Sequence, residues 1–315
     1  MHVTPEEAIK LILAGNVVAI PTETVYGLAA ALNFPHAITE IFSLKGRPAD
    51  NPLIIHLSHA NQIENYANSL PESYHTLAKA FWPGPMTLVL PIKTEKIPEM
   101  VRAGLPTAAF RVPQHTLTQA IIAKTGPLVM PSANLSGKPS ATCAEHVETD
   151  FGNHFPVVNG NSCKRGVEST ILIYQQEEWC IIRLGALAPD AFETVLAYRP
   201  KVVKMDKKNE NKPLCPGQLY RHYAPQAHLT LTKKFSKIDH KTVIGFEDHN
   251  YPEGCQLISL GTTTDSKLPM QRLYAILRRL DQEGIKEALV DMNFPSEGLW
   301  LTLKERLEKA AQTVN

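Results

Sequence analysis

The strongest constraint on this chain is an alternation of short apolar runs and amphipathic stretches that is interrupted once, between residues 198 and 225. Before the interruption, the strand-like runs "NVVAIP", "PLIIHL", "TLVLPI", "TAAFRVP", "PLVMP", "STILIY" and "WCIIRLG" are interspersed with helix-like "HAITEIFSL", "PESYHTLAKAF", "HTLTQAIIAK" and "DAFETVLA". Short β-branched runs bounded by Pro and Gly suit buried strands, and apolar residues three and four apart suit helices packed on them. The pattern predicts a mixed α/β domain over 1–197, opened by a helix that Thr4, Pro5 and Glu7 start as a capping box. The interruption, "YRPKVVKMDKKNENKPLCPGQLYRHYAP", is rich in Lys, Asn and Pro and has no apolar period, so it reads as an interdomain linker over 198–225. Its tail carries two tyrosines with Arg221 and His222, which is too aromatic for a solvated spacer and suggests a lid. Alternation then resumes with "AHLTLT", "KTVIGFE", "CQLISLG", "PMQRLYAILRRLDQ", "EALVDMNF" and "GLWLTLKERLEKAAQ", predicting a small parallel, Rossmann-like sheet over 226–315 without a G-x-G-x-x-G fingerprint.

Composition narrows the function. Of 315 residues, 43% are hydrophobic, and a net charge of +1 leaves no global field to gather DNA or anionic membrane, so positive charge must act locally. The five cysteines, Cys143, Cys163, Cys180, Cys215 and Cys255, are scattered without a C-x-x-C pair, as expected of free thiols in a reducing cytoplasm. Acidic residues stand near the start where a signal peptide would carry basic ones, and the most apolar window, 11–32, is broken by Asn16, Pro21 and Glu23, so no membrane span is expected.

Walker, H-E-x-x-H and G-x-S-x-G signatures are missing. Instead, polar residues recur at the ends of apolar strands: "PTETVYGL" (21–28), "KGRPADNPLIIH" (45–56), "TAAFRVPQH" (107–115), "PSANLSG" (131–137), "GVEST" (166–170) and "RLG" (183–185). Each has an ordinary explanation: Thr22 and Thr24 as strand residues, Arg47 as a solvated loop cation, Ser132 and Asn134 as turn formers, His56 as a core histidine. Their repeated placement argues for a crevice. Lys45, Arg47, Arg111 and Arg183 supply positive charge there, and Thr, Ser and Asn supply neutral hydrogen-bond partners, so the expected ligands are anions. Lys45 and Arg47 are expected on a loop that leads into a buried strand.

The motifs "PTETVYGL", "KGRPADNPL", "WPGPMT", "FRVP", "PSANLSG" and "STI" resemble the YrdC-type domain of threonylcarbamoyl-adenylate synthases. "PGQLYRHYAP" with a small α/β domain resembles the longer, two-domain form. The resemblance implies a twisted mixed sheet with helices around a concave cavity, and a nucleotidyltransferase that joins L-threonine, bicarbonate and ATP into threonylcarbamoyl-AMP with release of pyrophosphate. In that scheme the threonine amine forms N-carboxythreonine, whose carboxylate displaces pyrophosphate at the α-phosphorus. A partner transferase then places the threonylcarbamoyl group on a tRNA adenosine. By the same resemblance Lys45, Arg47, Asn51, Thr107, Asn134, Thr142, Arg183 and Tyr223 fall at ATP positions, with Tyr223 closing over the nucleotide. Thr24, His56, Arg111, Ser132 and Ser169 fall at threonine positions, with Arg111 for the amino-acid carboxylate. Lys45, Arg47 and His56 carry the catalytic assignments, His56 either taking an amine proton or orienting threonine. Magnesium is expected to travel with ATP, and no protein residue is assigned to it.

Two alternatives follow from other features. An RNA-binding module, or weak RNA binding beside catalysis, would use the concave basic surface that the resemblance implies for YrdC-type domains, together with "RRL" and the Lys-rich stretches, but the charge balance and the lack of RNA-recognition motifs weigh against it. A hydrolase would need Ser132 or Ser169 beside a histidine and a carboxylate.

Overall fold

The computed structural model describes residues 1–203, 213, 215, 222–235 and 242–311. Most of the 198–225 segment, including Arg221, lies outside these, so the lid expectation can be followed only at its end.

The N-terminal unit is one ten-stranded sheet. In chain order it contains β1 (His2–Val3), α1 (Pro5–Leu13), β2 (Val18–Ile20), β3 (Gly27–Ala31), α2 (Pro35–Lys45), β4 (Ile54–His56), α3 (Ser73–Phe81), β5 (Met86–Pro91), α4 (Glu99–Arg102), β6 (Thr107–Arg111), α5 (Thr116–Thr125), β7 (Leu128–Val129), α6 (Ala144–Phe151), β8 (Val157–Val158), β9 (Thr170–Gln175), β10 (Glu178–Arg183) and α7 (Pro189–Leu196). The strand order β1-β8-β2-β3-β7-β4-β6-β5-β9-β10 mixes parallel and antiparallel pairs. The Thr4 hydroxyl accepts from the Glu7 amide and the Glu7 carboxylate accepts from the Thr4 amide, as the capping box requires. Lys45 departs from its expected place, because α2 runs on through "SLK" and stops only at Gly46, whose φ of 59° is left-handed. It is therefore a helix-end residue, with Arg47 on the loop beyond.

Side-chain alternation splits this sheet into two faces. Ile55, Phe110, Leu88 and Leu172 belong to the large core, whereas Ile54, Val89, Ala109 and Ile171 form a small cluster on the other side. Period two puts His56 with Ile54 and Arg111 with Ala109, and parallel pairing of β4 with β6 sets His56 directly opposite Arg111. The register of two strands thus places both polar residues on the less covered face.

The C-terminal unit contains β11 (His228–Thr232), β12 (Thr242–Phe246), β13 (Gln256–Gly261), α8 (Lys267–Gln282), β14 (Glu287–Asp291) and α9 (Trp300–Ala310). Its four strands, ordered β11-β14-β12-β13, are all parallel. Its core is continuous with the first unit: Val25, Val167, Ala186 and Tyr223 pack into the same cluster as Phe246, Leu273, Tyr274 and Leu303. No helix among the described residues is long and apolar enough to cross a membrane.

Candidate active site

Thr24, Lys45, Arg47, His56, Arg111, Ser132, Asn134, Ser169, Arg183 and Tyr223, separated by up to two hundred residues in sequence, line one cavity. That cavity measures about 70 Å³, well short of the roughly 300 Å³ at which small-ligand sites begin. It adjoins a second of about 510 Å³ that shares Ser136, Gly137, Lys138 and His222 and is walled by Asn51. Two expected residues stand apart. Thr107 opens β6 opposite Pro91, four residues and roughly 13 Å along the strand from Arg111. Thr142 is turned into the protein, where its amide and hydroxyl meet His146 Nδ1 at 3.2 and 3.3 Å.

The loop 132–140 forms one wall and is held from three sides. Lys45 Nζ donates to the Ser132 and Asn134 carbonyls at 2.5 and 2.6 Å, and the Ser136 amide returns a bond to the Lys45 carbonyl. Asp150 accepts from the Leu135 amide and from Lys138. Arg278 of α8 reaches across to the Pro139 carbonyl at 2.7 Å and to Asp150 at 2.7 Å. This makes Arg278, part of "RRL", a buried interdomain anchor at 5% exposure rather than part of a basic surface. A long cation on a helix reads as solvated, so only the fold reveals its use.

Arg111 is buried and already engaged. It donates to Glu23 Oε1 at 2.6 Å, to Thr24 Oγ1 at 2.9 Å and to the Gly84 carbonyl at 3.3 Å. Three of the five N–H groups of a guanidinium are thereby used, leaving two with no partner among the described residues. Glu23, absent from the sequence-based set, supplies Arg111 with a counter-charge inside the protein. Thr22 gives its hydroxyl proton to the Val25 carbonyl, so Thr24 donates to Thr22 while accepting from Arg111.

His56 Nδ1 lies 3.2 Å from the Ile54 carbonyl, which can only accept, so the proton is assigned to Nδ1 and the Nε2 lone pair is left as an acceptor. Burial, then the Arg111 charge, pushes its pKa down to about 3, and the ring stays neutral. Burial, then Arg47, drives Lys45 well below the ordinary lysine range. Arg183 donates to the Ser169 carbonyl at 2.8 Å and to its hydroxyl at 3.2 Å, and that hydroxyl also meets Thr87 at 2.7 Å. Neither Ser132 nor Ser169 bonds to a histidine among the described residues, so the hydrolase alternative lacks its essential pair.

The wall also holds polar atoms with nothing to bind. Asn51 Oδ1, Asn134 Oδ1 and His222 Nε2 are buried without a hydrogen-bond partner among the described residues. Buried orphans of this kind cost about 1–3 kcal/mol each, and a ligand with donors could supply partners to the three that surround these adjoining cavities. No cluster of three or more His, Cys, Asp or Glu side chains that could cage a metal occurs among the described residues. The one carboxylate lining the first cavity, Glu168, is taken by Ser140, Tyr274 and Arg306. The donor set does not fit a protein-held magnesium ion.

With the geometry in hand, the comparisons are specific. A family described as telomere recombination (Sua5, YciO, YrdC) matches residues 10–185, and the C-terminal domain family of threonylcarbamoyl-AMP synthase matches residues 188–312. The chain is 36% identical to the threonylcarbamoyl-AMP synthase of Bacillus subtilis, over 97% of this chain and 92% of that protein. It is 37% identical to that of Pyrococcus abyssi, over 96% and 93% respectively. The crystal structure of Pyrococcus abyssi Sua5 complexed with L-threonine superposes with a TM-score of 0.88 at 35% identity, covering 98% of this chain and 94% of that one. Two matching family models, end-to-end coverage and a shared fold lead to one conclusion: this chain belongs to the threonylcarbamoyl-AMP synthase family, in its two-domain form.

Proposed function

We propose that the cavity joins L-threonine, bicarbonate and ATP into threonylcarbamoyl-AMP and pyrophosphate, supplying a tRNA-modifying transferase in the cytoplasm. The observation that carries this reading is the make-up of one lining, where Lys45, Arg47, Arg111, Lys138 and Arg183 stand against a single carboxylate, Glu168. Lys45, Arg111 and Arg183 are each less than 7% exposed. Arg111 has Glu23 as its own counter-charge, yet a cavity walled by so many cations still favours anions. A triphosphate and an amino-acid carboxylate are such anions. The Pyrococcus abyssi relative, described as complexed with L-threonine, supports the amino-acid half.

In this reading the two uncommitted N–H groups of Arg111 receive the threonine carboxylate, with Thr24, Ser132 and Ser169 around the rest of the amino acid. Between the two roles open for His56, its neutral ring suits an acceptor at Nε2 that orients the amine, because a base that titrates near 3 is poorly matched to neutral pH. Arg47, Arg183 and the remaining proton of Lys45 face the phosphates, and Asn51 and Asn134 offer their unpartnered oxygens to donors of the nucleotide. The amine bonds to the carbon of carbon dioxide or bicarbonate, releasing a proton or water, and the resulting carboxylate displaces pyrophosphate from the α-phosphorus. Catalysis rests on positioning and on fixed charge where the leaving group develops its own. Magnesium arrives on the triphosphate with its waters, and no step is assigned to it.

The test is pyrophosphate release with ATP alone, then with threonine and bicarbonate added singly and together. Release only with all three is expected; release unchanged by threonine would sink the reading. RNA binding is the weaker alternative, since burial of Arg278 removes part of its basic surface. Tight filter binding of RNA without threonine-dependent release would favour it.

A further inference from the structure

We propose that Arg306, on the last helix of the C-terminal unit, is a positioning residue for the nucleotide half of the cavity. The inference rests on the functional reading above and assigns α9 a part in it. Arg306 is fully buried, although it belongs to "KERLEK", which reads as a solvated helix face. Its guanidinium touches three separate pieces of the site. Nε lies 3.3 Å from Glu168 Oε2 and 3.1 Å from the Tyr274 hydroxyl, which itself donates to Glu168 at 2.8 Å. Nη2 donates to the Leu184 carbonyl at 2.7 Å, one residue after Arg183. Its flat face covers the Tyr223 ring at 4.7 Å, and that ring stacks on Tyr274.

These contacts converge on a tight backbone junction. Ala186 donates to the Glu168 carbonyl at 2.9 Å, and a Cβ on Gly185 would stand 2.4 Å from the Ser169 carbonyl carbon, so segments 168–169 and 184–186 are pressed together. Arg306 and Thr302, whose hydroxyl donates to the Gly185 carbonyl, grip that junction from outside. Glu168 passes the constraint to Ser140, which donates to its Oε1 at 2.6 Å. Ser140, Arg183 and Tyr223 are therefore aimed by one side chain of the C-terminal unit. The threonine half shares only Ser169 with this junction, and the Ser169 hydroxyl is also held by Thr87 of the N-terminal unit; Arg111 is set by Glu23, Thr24 and Gly84, and His56 by Ile54, all from the N-terminal unit.

A positioning role and a merely structural one differ in which substrate they affect. The variants are Arg306→Met, which keeps bulk but not charge, and Tyr274→Phe, which keeps the stacked ring and loses one donor to Glu168. Each is measured for kcat/KM toward ATP at saturating threonine, and for threonine binding by calorimetry. Arg306→Met is expected to lower kcat/KM for ATP by about tenfold to a hundredfold, as displaced reacting groups do. Tyr274→Phe should lower it by about two- to tenfold, the worth of one hydrogen bond. Threonine affinity should stay within about twofold of wild type in both. Parallel loss of both substrates, or ATP kinetics within about twofold of wild type, overturns the proposal. If Arg306→Met does not fold, Tyr274→Phe decides alone. If wild type releases no pyrophosphate with all three substrates, the functional reading fails, and calorimetry with ATP then judges the positioning claim by the same criterion.

Discussion

The two sheets end their strands in opposite ways. At the end of β14, Asp291 is saturated: Oδ2 accepts from His249 and from the Tyr251 hydroxyl, both at 2.7 Å, and Oδ1 accepts from the amide and side chain of Asn293. Around the N-terminal cavity, Asn51, Asn134 and His222 keep atoms without partners among the described residues, beside cations that outnumber nearby carboxylates. Both sets contain a histidine and other polar groups near strand ends. What separates a site from a scaffold is unmet demand, since a saturated cluster holds a fold together and an unsaturated one waits for a ligand.

Variants on the two sides should break or sharpen that contrast. The largest effect is expected at Arg111→Ala, which strands Glu23 as a buried unpaired carboxylate. Stability should fall by about 3–5 kcal/mol in denaturant titrations, and threonine binding by calorimetry should be lost with it. Wild-type threonine affinity in a folded Arg111→Ala protein would remove Arg111 from the site. Arg47→Ala should weaken ATP by about 2–5 kcal/mol in kcat/KM, as removing one partner of a charge-assisted pair does, while leaving threonine affinity intact. Asp291→Asn is the reverse case. It should cost about 1–3 kcal/mol of stability by disturbing a satisfied network, with kcat/KM per folded molecule unchanged; a selective loss of activity would make the second sheet part of the site. Smallest of all, Arg279→Ala removes only an exposed pair with Glu283 and should change stability by less than about 0.5 kcal/mol.

Acid should separate the units along their shared seam. Burial alone would raise the Glu168 and Asp150 carboxyls, but Arg306 and Arg183 for the first, and Arg278 and Lys138 for the second, hold both below their ordinary 4.5 and 3.8. A depressed carboxyl stabilises the fold above its unfolded value, and that contribution disappears as pH falls through the folded one. Interdomain stability should therefore hold at neutral pH and decline progressively below 4.5 and then 3.8. Asp150→Asn should flatten the lower part of that decline in pH-dependent denaturation, and an unchanged slope would discount the Asp150 to Arg278 anchor.

Much of this was legible in residue order, for identifiable reasons. The runs "STILIY" and "WCIIRLG" became the β9–β10 hairpin, and each later strand and helix of the C-terminal unit appeared where periodicity put it. β3 escaped notice because "GLAAA" has no β-branched residue, and β1 and β8, which also escaped, are only two residues long. Ten cavity residues were readable because strand ends and loops carry them. What could not be read was pairing across the chain. Glu23 finds Arg111 and Arg306 finds Glu168 over separations of 88 and 138 residues, and nothing local distinguishes these charges from solvated ones. Lys45 was legible as a cation and not as a clasp, because its partners are carbonyls, which every residue possesses.

That clasp fixes a stoichiometry. An ammonium has three protons, and Lys45 spends two on the Ser132 and Asn134 carbonyls. On the reading proposed above, a charged Lys45 would have one proton left for a single oxygen of a triphosphate. The guanidinium groups would then carry most of the charge of a departing diphosphate, while the lysine serves as the peg that keeps the serine–asparagine loop in shape.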